Sequence, residues 1–370
     1  ARGRRMTQRS RSVIAAATAE LWRFPLAGAT GGSGITAVDV IVVTLEDSDG
    51  MSGAGFSYVL GGDGAIVRMC AQDMLENMVI GSETIPPPAL WRRLAASLNR
   101  MGRGIGYLAI AAIDLASWDL HAKQLGVPLG EALGGVARSV PVYGSGGFGP
   151  MQPPEEAARR ALEYAEMGCS AVKLRLAGNP ADVARMRAVS EALPDNVRLM
   201  GDVNEKCDLA GARWLANECA NFNLLWLEEP LPASDVAGYA ALAAASPVPI
   251  ATGEHHQGLV ELGPFFTAQS CAVVQPDLAM VGGITEALRV ATVAEHYGIT
   301  VAPHFLPALF AHLAAAAPAV RWLEHFPLLE PLFADPVEMD GDGRITPSDR
   351  PGHGLVWADG ARDEFLLTAR

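Results

Sequence analysis

The sequence has few cysteines and no long hydrophobic run. Its five cysteines are scattered, odd in number and free of any C-x-x-C pair, so structural zinc and a disulfide framework are both disfavoured. We therefore expect a reducing, cytoplasmic compartment. No apolar run approaches the roughly 18 residues that a membrane-spanning helix needs, and we expect no membrane partner.

Basic residues are also scarce relative to acidic ones. The chain carries 28 Lys and Arg against 41 Asp and Glu, a formal net charge of −13 at pH 7. Nucleic acids and anionic lipids attract basic surfaces, so neither is expected as a partner. With 50% hydrophobic and 19% charged residues the composition is typical of a globular protein, and 370 residues suffice for a large core and two domains.

The first 20 residues combine a basic segment, ARGRRMTQRSRS, with the apolar VIAAATA, a pattern that loosely resembles a secretory signal. The apolar part is short, and it continues into ELWRFPL as a strand would. We interpret the stretch from residue 12 onward as the first strand of the protein rather than as a signal.

From residue 140 onward, short β-rich runs alternate with Ala-rich segments of helical spacing. Strict alternation of this kind with apolar strands predicts an α/β fold with a parallel sheet. Eight strands with seven helices between them, over about 185 residues, favour a closed TIM-type barrel at 136–325 over an open doubly wound sheet. The strand candidates are SVPVYGS, SAVKLRL, NVRLMGDVN, NLLWLEE, VPIATGE, CAVVQPD, ITVAPH and AVRWLE.

The segment before this barrel has a different pattern. SVIAAATAELWRFPL and AVDVIVVTLEDSDG indicate antiparallel strands joined through the Gly-rich AGATGGSG, and helices follow them. We interpret 12–135 as an α+β domain. The tail, 326–370, is rich in Pro, Gly and Asp and is predicted to pack back on this first domain.

Acidic residues close three consecutive strands of the predicted barrel. Asp202, Glu228 and Glu254 follow one another at intervals of 26 residues, one β–α unit apiece. Chemistry in such barrels gathers at the carboxyl ends of the strands, so the three side chains are expected at one mouth of the barrel. Like charges forced together repel unless a cation lies between them, and oxygen ligands favour Mg²⁺ before Mn²⁺. Glu229 is expected to point elsewhere.

An aspartate and a histidine close two neighbouring strands. Asp277 ends the sixth strand and His304 the seventh, where a carboxylate bound to one nitrogen of the imidazole would fix its tautomer and raise its basicity. We predict that these two residues form a proton-transfer pair. Glu324 closes the eighth strand.

Lys173 and Arg175 lie two residues apart on the second strand and therefore share a face. Two interpretations stay open: they neutralise the acidic rim, or they hold a substrate carboxylate, with Lys173 as a further candidate base. Asn204 and His255, which closely follow the third and fifth strands, are candidates for substrate contact. For His255 and its neighbour His256, packing at the surface or in the core is the alternative.

Together these motifs resemble the enolase superfamily, and in particular its mandelate racemase subgroup. The resemblance covers essentially the whole chain, and the ordered set of motifs is highly specific although each motif alone is not. It is carried by VKLRL, GDVN, WLEEP, ATGEHH, QPDLAMVGGIT, APH and RWLE, by AIAAIDLASWDLHAKQLGVPLGEALGG in the first domain and by RPGHGL in the tail.

The resemblance implies a modified TIM barrel, (β/α)7β, covered by the N-terminal α+β domain as a cap that the C-terminal tail completes. AGATGGSG and the nearby GAGFSYVLGG, which contains Tyr58, would be the cap loops that cover the site and select the substrate. Members of the family are commonly homo-oligomers, often octamers, so a similar assembly is expected here.

For the site, the resemblance implies a small-molecule carboxylate substrate and a Mg²⁺ ion, with Mn²⁺ as an alternative, on the three strand-end carboxylates. His304 with Asp277 would be the acid–base dyad, and Glu324 would donate a hydrogen bond to the substrate carboxylate or act on it electrostatically. The cation would stabilise the enediolate that forms as the proton beside the carboxylate leaves, so the base needs only a pKa near neutrality.

One position departs from the pattern of the subgroup. The subgroup often has K-x-K on the second barrel strand, with the second lysine as a base opposite the histidine, and this sequence has Arg175 there. A guanidinium stays protonated and is a poor base, so we prefer a one-base elimination of water from a sugar acid, giving a 2-keto-3-deoxy acid. Arg175 would then bind a distal hydroxyl or the second carboxylate of a diacid.

Two alternatives stay open. If Lys173 serves as the second base, the chain would be a racemase or epimerase of a 2-hydroxy acid or an amino-acid derivative. A degenerate barrel kept as a binding or scaffolding protein is the non-enzymatic alternative, which the intact set of site residues disfavours.

Overall fold

The computed structural model describes residues 12–26, 34–336 and 338–367. The basic segment 1–11 and residues 27–33 of the Gly-rich cap loop, on which the sequence also carries predictions, lie outside the described residues. Within the described ranges, no helix is both long enough and apolar enough to cross a membrane.

The N-terminal domain begins with three antiparallel strands: β1 (Ile14–Pro25), β2 (Ala37–Asp47) and β3 (Ser52–Leu60). β2 lies between the other two strands and is buried along most of its length, as its apolar run AVDVIVVTL predicts. Its register brings Val40 opposite Tyr58 of β3. The sheet therefore carries Tyr58 within a buried layer rather than on a loop.

The helices of this domain are α1 (Gly64–Met74), α2 (Pro87–Ser97), α3 (Gly104–Leu125) and α4 (Leu129–Ala132). Of these, α1 and α3 pack on the sheet. The long α3 lies so close to β3 that a Cβ atom at Gly55 would stand 2.2 Å from the backbone nitrogen of Ala116. Because only glycine permits this approach, the GAG pattern near the start of β3 fixes how the helix seats on the sheet.

The chain then alternates between strands and helices, as the sequence predicted. The strands are β4 (Val140–Gly144), β5 (Ala171–Arg175), β6 (Arg198–Asp202), β7 (Leu227–Glu228), β8 (Ile250–Thr252), β9 (Val273–Val274), β10 (Thr300–Val301) and β11 (Leu323–His325). The helices are α5 (Pro154–Glu166), α6 (Ala181–Ala192), α7 (Leu209–Ala220), α8 (Val236–Ala243), α9 (Leu259–Thr267), α10 (Leu278–Val281), α11 (Ile284–His296) and α12 (Pro307–Ala316). Two helices follow β9 because Gly282 and Gly283, with φ of 92° and 101°, end α10 after one turn.

Strands β4 to β10 pair in sequence order, all of them parallel, and β11 pairs with β4. Backbone hydrogen bonds close the barrel at Val301. Its N–H donates to the Ala319 carbonyl at 2.8 Å, and its carbonyl accepts from the Arg321 N–H at 2.9 Å. The predicted TIM-type barrel, preceded by an α+β cap, is confirmed.

The C-terminal tail returns to the N-terminal domain. It adds β12 (Arg344–Ile345), which pairs with the start of β4, and α13 (Ala361–Phe365). Trp357 packs on Trp22 and Phe56 of the first sheet, with 4.8 and 5.5 Å between ring centroids. The tail therefore completes the cap, as predicted, while the residue boundaries between the three segments stay predictions.

An apolar floor fills the lower part of the barrel. It consists of Tyr143, Ala171, Met200, Trp226, Ala251, Val273 and Ala302. Because successive side chains on a strand point to opposite faces, a step of two residues from this floor leads to Lys173, Asp202 and Glu228. The same step leads from Ala302, just beyond β10, to His304. Polar side chains therefore ring the C-terminal end of the barrel directly above an apolar layer.

Candidate active site

The C-terminal mouth of the barrel gathers the side chains that the sequence predicted for a site. From the barrel these are Lys173, Arg175, Asp202, Asn204, Glu228, Glu254, His255, Asp277, His304 and Glu324, and from the cap Tyr58. Most of them are buried, and His255 is exposed at the rim. We use "the mouth" for this set; their positions are described here, and their roles stay predictions.

Three carboxylates line one side of the mouth. Asp202 and Glu228 end adjacent strands and lie opposite one another in the register. Glu254 lies three residues beyond the floor residue Ala251, whereas Asp202 and Glu228 lie two residues beyond theirs. The difference arises at Gly253, whose φ of 143° turns the chain. A Cβ at this glycine would lie 2.6 Å from the backbone nitrogen of Gln275, so no other residue fits there.

Glu228 is the most enclosed of the three carboxylates. Its Oε1 lies 2.5 Å from the Lys173 Nζ, and its Oε2 accepts from the Gln275 Nε2 at 2.6 Å and the Trp226 Nε1 at 3.1 Å. Burial raises the pKa of Glu228 to about 8, because the lowering effect of Lys173 is opposed by the charges of the other carboxylates in the mouth. The positively charged side chains around Glu228 therefore do not fully offset the negative charge of the neighbouring carboxylates.

Lys173 is a buried cation at the base of the mouth. Its Nζ lies 2.5 Å from Glu228 Oε1, 2.8 Å from Glu324 Oε1 and 3.9 Å from Asp202 Oδ2. Burial lowers the pKa of Lys173, but the surrounding carboxylates raise it well above its ordinary value. A lysine held in this way is suited to bind an anion and poorly suited to take a proton.

Arg175 lies further out on the same strand. Its Nη2 stands 3.3 Å from Asp202 Oδ2, and its side chain is 24% exposed, against 4% for Lys173. A guanidinium keeps its proton throughout the physiological range. The position that the subgroup often fills with a second lysine base therefore holds a permanent, partly exposed cation.

His304 and Asp277 are brought together as predicted by their strand-end positions. The His304 Nδ1 lies 2.8 Å from Asp277 Oδ2, so Nδ1 carries the proton that the carboxylate accepts. The His304 Nε2 is then directed to the mouth, 3.6 Å from Glu254 Oε2. Burial lowers the pKa of His304, but the surrounding carboxylates, Glu254 first among them, raise it to about 10.

Glu324 is held between two donors. Its Oε2 accepts from the backbone N–H of Phe305 at 2.9 Å, and its Oε1 lies 2.8 Å from the Lys173 Nζ. Although burial raises the pKa of Glu324, Lys173 and His304 lower it to about 2. Of the two roles that the resemblance implies, the electrostatic one suits this ionised carboxylate, and donation of a hydrogen bond does not.

Tyr58 reaches the site from the cap. The resemblance implies that it contacts the substrate, but the structure places its hydroxyl against the dyad, where it donates to Asp277 Oδ2. The residue is only 4% exposed. Its hydroxyl therefore lies behind the dyad rather than free in the mouth.

Asn204 and His255 lie near the carboxylates. The Asn204 Nδ2 donates to Glu254 Oε1 at 3.4 Å, and its backbone N–H donates to Asp202 Oδ1 at 3.0 Å, so it links two of the three acidic residues. The His255 Nδ1 lies 2.8 Å from Glu229 Oε2, and this hydrogen bond raises the pKa of His255 to about 9. His255 thus pairs with Glu229 at the rim.

Two residues beside the mouth complete its contacts: Gln275, for which the sequence carried no prediction, and Glu229, which was expected only to point elsewhere. Gln275 binds Glu228, and the step of two from Val273 to Gln275 to Asp277 was a signal that could have found it. Glu229 is fully buried with a left-handed φ of 38°, which directs its side chain to His255. No sequence pattern predicts this left-handed backbone conformation.

The carboxylates of the mouth suit a hard divalent cation. Their ligand atoms are all oxygens, and the buried Asp202 Oδ2 has ion contacts with Arg175 at 3.3 Å and Lys173 at 3.9 Å but no hydrogen bond among the described residues. The raised pKa of Glu228 reflects a repulsion that a cation between the carboxylates would relieve. A second group, Glu229, Glu254 and His255, has ligand atoms within 4.8 Å of one another, but the Glu229–His255 pair already accounts for that arrangement.

Family models match both parts of the chain. Residues 12–134 match the N-terminal domain of the mandelate racemase / muconate lactonizing enzyme family. Residues 156–361 match the enolase C-terminal domain-like family. Between them, these matches cover the cap and most of the barrel.

Individual relatives match over nearly the same extent. The chain is 36% identical over 338 residues to the L-talarate/galactarate dehydratase of Salmonella typhimurium, across 90% of this chain and 84% of that protein. It is 33% identical over 347 residues to the 3,6-anhydro-alpha-L-galactonate cycloisomerase of Streptomyces coelicolor, across 91% of this chain and 95% of that protein. The crystal structure of the Salmonella dehydratase, liganded with Mg and L-lyxarohydroxamate, matches with a TM-score of 0.92 at 34% identity, over 100% of this chain and 97% of that one. The chain therefore belongs to the mandelate racemase / muconate lactonizing enzyme family of the enolase superfamily, as its motifs predicted.

Proposed function

We propose that this enzyme is a Mg²⁺-dependent hydro-lyase that removes water from a sugar acid and releases a 2-keto-3-deoxy acid. The observation that carries the proposal is that the mouth holds one proton-transfer group. The His304–Asp277 dyad stands on one side, and the opposite side offers Lys173 and Arg175, which are both cations. An elimination of water needs one group that takes a proton and returns it.

Asp202, Glu228 and Glu254 would hold the cation, with Mg²⁺ as the first candidate and Mn²⁺ as the second. A cation bound there supplies positive charge to the substrate carboxylate and thereby acidifies the neighbouring C–H. The Mg in the solved structure of the Salmonella relative supports this choice.

The residues of the mouth then have complementary tasks. Lys173 adds a fixed positive charge beside the substrate carboxylate. His304 Nε2 takes the proton from the carbon next to that carboxylate, while Asp277 accepts from Nδ1–H and stabilises the imidazolium. The same proton passes to the β-hydroxyl as the C–O bond breaks, so water leaves and the remaining enol tautomerises to a 2-keto acid. Sugar acid becomes keto acid plus water, and no oxidant or reductant is consumed.

The substrate class that fits the rim is a sugar diacid. Arg175 is partly exposed there, and the Lys206 Nζ lies near it, donating at 3.4 Å to the carbonyl of Leu176, the residue that follows Arg175. Two cations at the outer end of the mouth suit a second carboxylate at the far end of the substrate. L-Talarate and galactarate, which name the activity of one relative, are both dicarboxylates.

A screen of sugar monoacids and diacids with Mg²⁺ tests the proposal, with the 2-keto product detected as its semicarbazone. We expect a keto product from at least one diacid, loss of activity with a chelator, recovery with added Mg²⁺ and a fall of about 10²- to 10⁴-fold in the kcat of His304→Asn. Higher kcat/KM for monoacids than for any diacid would overturn the substrate class. The absence of a keto product from every acid tested would overturn the dehydratase assignment.

A racemase or epimerase is the second candidate, because Lys173 lies in the mouth across the barrel from His304. This reaction would require Lys173 to lose its proton, which the adjacent Glu228 and Glu324 oppose. Exchange of the α-proton with solvent and inversion at that carbon, without a keto product, would favour this candidate.

Assembly and location stay predictions. We expect a homo-oligomer, with an octamer as the first candidate, and multi-angle light scattering of the purified protein tests this. A cytoplasmic location is expected from the cysteine content, and fractionation of the source cells tests it.

A further inference from the structure

We propose that Tyr58 of the cap is a positioning residue for the His304–Asp277 dyad: its hydroxyl holds the Asp277 carboxylate in the orientation that aims the His304 imidazole into the mouth. The cap would then contribute to the base directly, beyond covering the site. This inference rests on the proposed acid–base role of His304.

Every acceptor position of the Asp277 carboxylate faces a donor. Oδ1 accepts from the backbone N–H groups of Ala279 and Met280, both at 2.9 Å, so Asp277 also caps α10. Oδ2 accepts from the Tyr58 hydroxyl and from His304 Nδ1. A carboxylate has about four acceptor sites, and all are used here, so its rotation is restrained from both oxygens. Of these described donors, the Tyr58 hydroxyl is the one that comes from the cap.

Tyr58 also touches the chain segment that carries His304. Its ring packs edge-on against Phe305, with 5.0 Å between centroids. Phe305 has a left-handed φ of 35°, and its N–H is held by Glu324 Oε2 at 2.9 Å. Backbone of this kind persists only where its surroundings over-determine it. Tyr58 therefore supports one dyad member through its hydroxyl and the neighbour of the other through its ring.

The hydroxyl is a permanent donor. Burial and the negative charge of Asp277 raise the pKa of Tyr58 well above its ordinary value, so the phenol keeps its proton. Tyr58 is fixed within the cap by two neighbours of its strand, β3. Val40 of β2 lies opposite Tyr58 in the sheet, and α3 packs on β3. The position of the hydroxyl is thus set by the fold of the cap.

The cap is anchored next to the segment that Asp277 begins. The Trp91 Nε1 donates to the Gly282 carbonyl at 2.8 Å, and the Trp118 Nε1 donates to Thr285 Oγ1 at 2.9 Å. Both acceptors follow α10, the short helix that Asp277 caps. Tyr58, Trp91 and Trp118 of the cap therefore all hydrogen-bond to the stretch from Asp277 to Thr285. Displacement of the cap would break these bonds, including the one that holds Asp277.

Tyr58→Phe removes the hydroxyl and keeps the ring. We expect kcat to fall about tenfold, which is the order of effect of one hydrogen bond to a charged group, while KM and Mg²⁺ affinity stay unchanged. Tyr107→Phe is the matched control. Tyr107 lies on α3 at the same contact between cap and barrel, packed on Trp91 at 5.8 Å between centroids, and has no role in the dyad. Its loss should leave kcat unchanged.

Proton NMR supplies a readout that needs no substrate. The downfield N–H resonance of the His304 imidazole, identified by its disappearance in His304→Asn, should shift or broaden in Tyr58→Phe, with and without Mg²⁺, and stay in place in Tyr107→Phe. Because no turnover is involved, this result is independent of whether the proposed dehydration is correct.

Two results would overturn the positioning role. One is an unchanged His304 N–H resonance in Tyr58→Phe. The other is a rise in KM with kcat unchanged, which would return Tyr58 to direct contact with the substrate. Failure of the dehydratase proposal has a different signature, since the parent protein would then give no keto product while the resonance still responded to Tyr58→Phe.

Discussion

The two sides of the barrel mouth use the same strand-end geometry but differ in what surrounds their polar groups. On β5, Lys173 lies within reach of three carboxylates, all donated by the barrel itself. His304 follows β10, which four strands, β6 to β9, separate from β5 in the sheet; one nitrogen of its ring is bound to Asp277 and the other is directed to the mouth. A cation enclosed by opposite charges keeps its proton, whereas an imidazole anchored at one nitrogen can exchange a proton at the other.

This difference shows that a position in the mouth is not enough to make a side chain a base. Lys173, Arg175 and His304 all face the mouth, and of the three only the imidazole has an ordinary pKa near neutrality. The carboxylates around His304 raise that pKa to about 10, and a cation bound to Glu254, the first of them, would offset part of this rise. The opposite side instead concentrates positive charge, which suits the binding of a substrate with more than one carboxylate.

The largest effect is expected from His304→Asn. Asparagine can still donate to Asp277 but offers no basic nitrogen, so kcat should fall by about 10²- to 10⁴-fold. Mg²⁺ affinity, measured by titration calorimetry, should persist because the three carboxylates are untouched. Turnover close to that of the parent protein would remove His304 from the mechanism.

A comparison of Glu228→Gln with Glu229→Gln tests the register at the end of β7. The first change removes a charge that faces Asp202 in the mouth, and it should weaken Mg²⁺ binding by about 10- to 100-fold. The second removes a charge paired with His255 and should have a much smaller effect. Calorimetric titration of both variants supplies the measurement, and equal losses would show that the assignment of Glu228 as the ligand is wrong.

Arg175→Lys would place a removable proton on the cationic side of the mouth. We expect dehydration to fall about tenfold, because the planar fork that binds a carboxylate is lost, and a slow exchange of the α-proton to appear. Arg175→Gln is the matched control, since it also loses the fork but gains no base. NMR of recovered substrate in D₂O follows the exchange, and equal exchange in the two variants would contradict the distinction between the two sides.

A buried histidine outside the mouth sharpens the comparison. His312 is fully buried and has no carboxylate partner within the described part of the chain, and burial lowers its pKa to about 4. The carboxylates around His304 instead raise the pKa of His304 to about 10. Because the folded-state pKa of His312 lies below its unfolded value, this group costs stability as the pH falls from about 6.5 to about 4, by up to about 3 kcal/mol.

His312→Asn should reduce the dependence of the free energy of unfolding on pH, with little effect on activity at pH 7. An asparagine oxygen can replace the Nδ1 that accepts from the Gly130 N–H at 3.1 Å, and it does not titrate. Urea unfolding of both proteins at pH 7 and pH 5 provides the test. An identical loss of stability in the two proteins would show that His312 does not carry the effect.

Much of the fold and of the site followed from local patterns. The alternation of apolar runs with Ala-rich helices predicted the barrel, and residues at strand ends predicted that Asp202, Glu228 and Asp277 would meet at one mouth. These predictions succeed because strand alternation and parallel pairing are fixed by backbone geometry. The interval of 26 residues from Asp202 to Glu228, and again from Glu228 to Glu254, made the pattern recognisable in the sequence.

The contacts that depend on long-range packing were not visible in the sequence. Tyr58 meets Asp277 across 219 residues, and its hydroxyl could be placed only once the cap had been docked on the barrel. Glu324 was predicted to act either as a hydrogen-bond donor or electrostatically, and the Lys173 Nζ at 2.8 Å, which favours the electrostatic role, is a contact between different strands. Glu229 turns away through a left-handed backbone that no motif encodes.

The central claim, that one base serves the mouth, is tested most directly by running the reaction of a sugar diacid in D₂O and stopping it part-way. NMR and chiral analysis of the recovered substrate then report the configuration at the carbon beside the carboxylate. We predict that a 2-keto acid accumulates while the recovered substrate keeps its configuration. A deuterated epimer that forms as fast as the keto acid would show a second base across the barrel and would contradict the one-base mechanism.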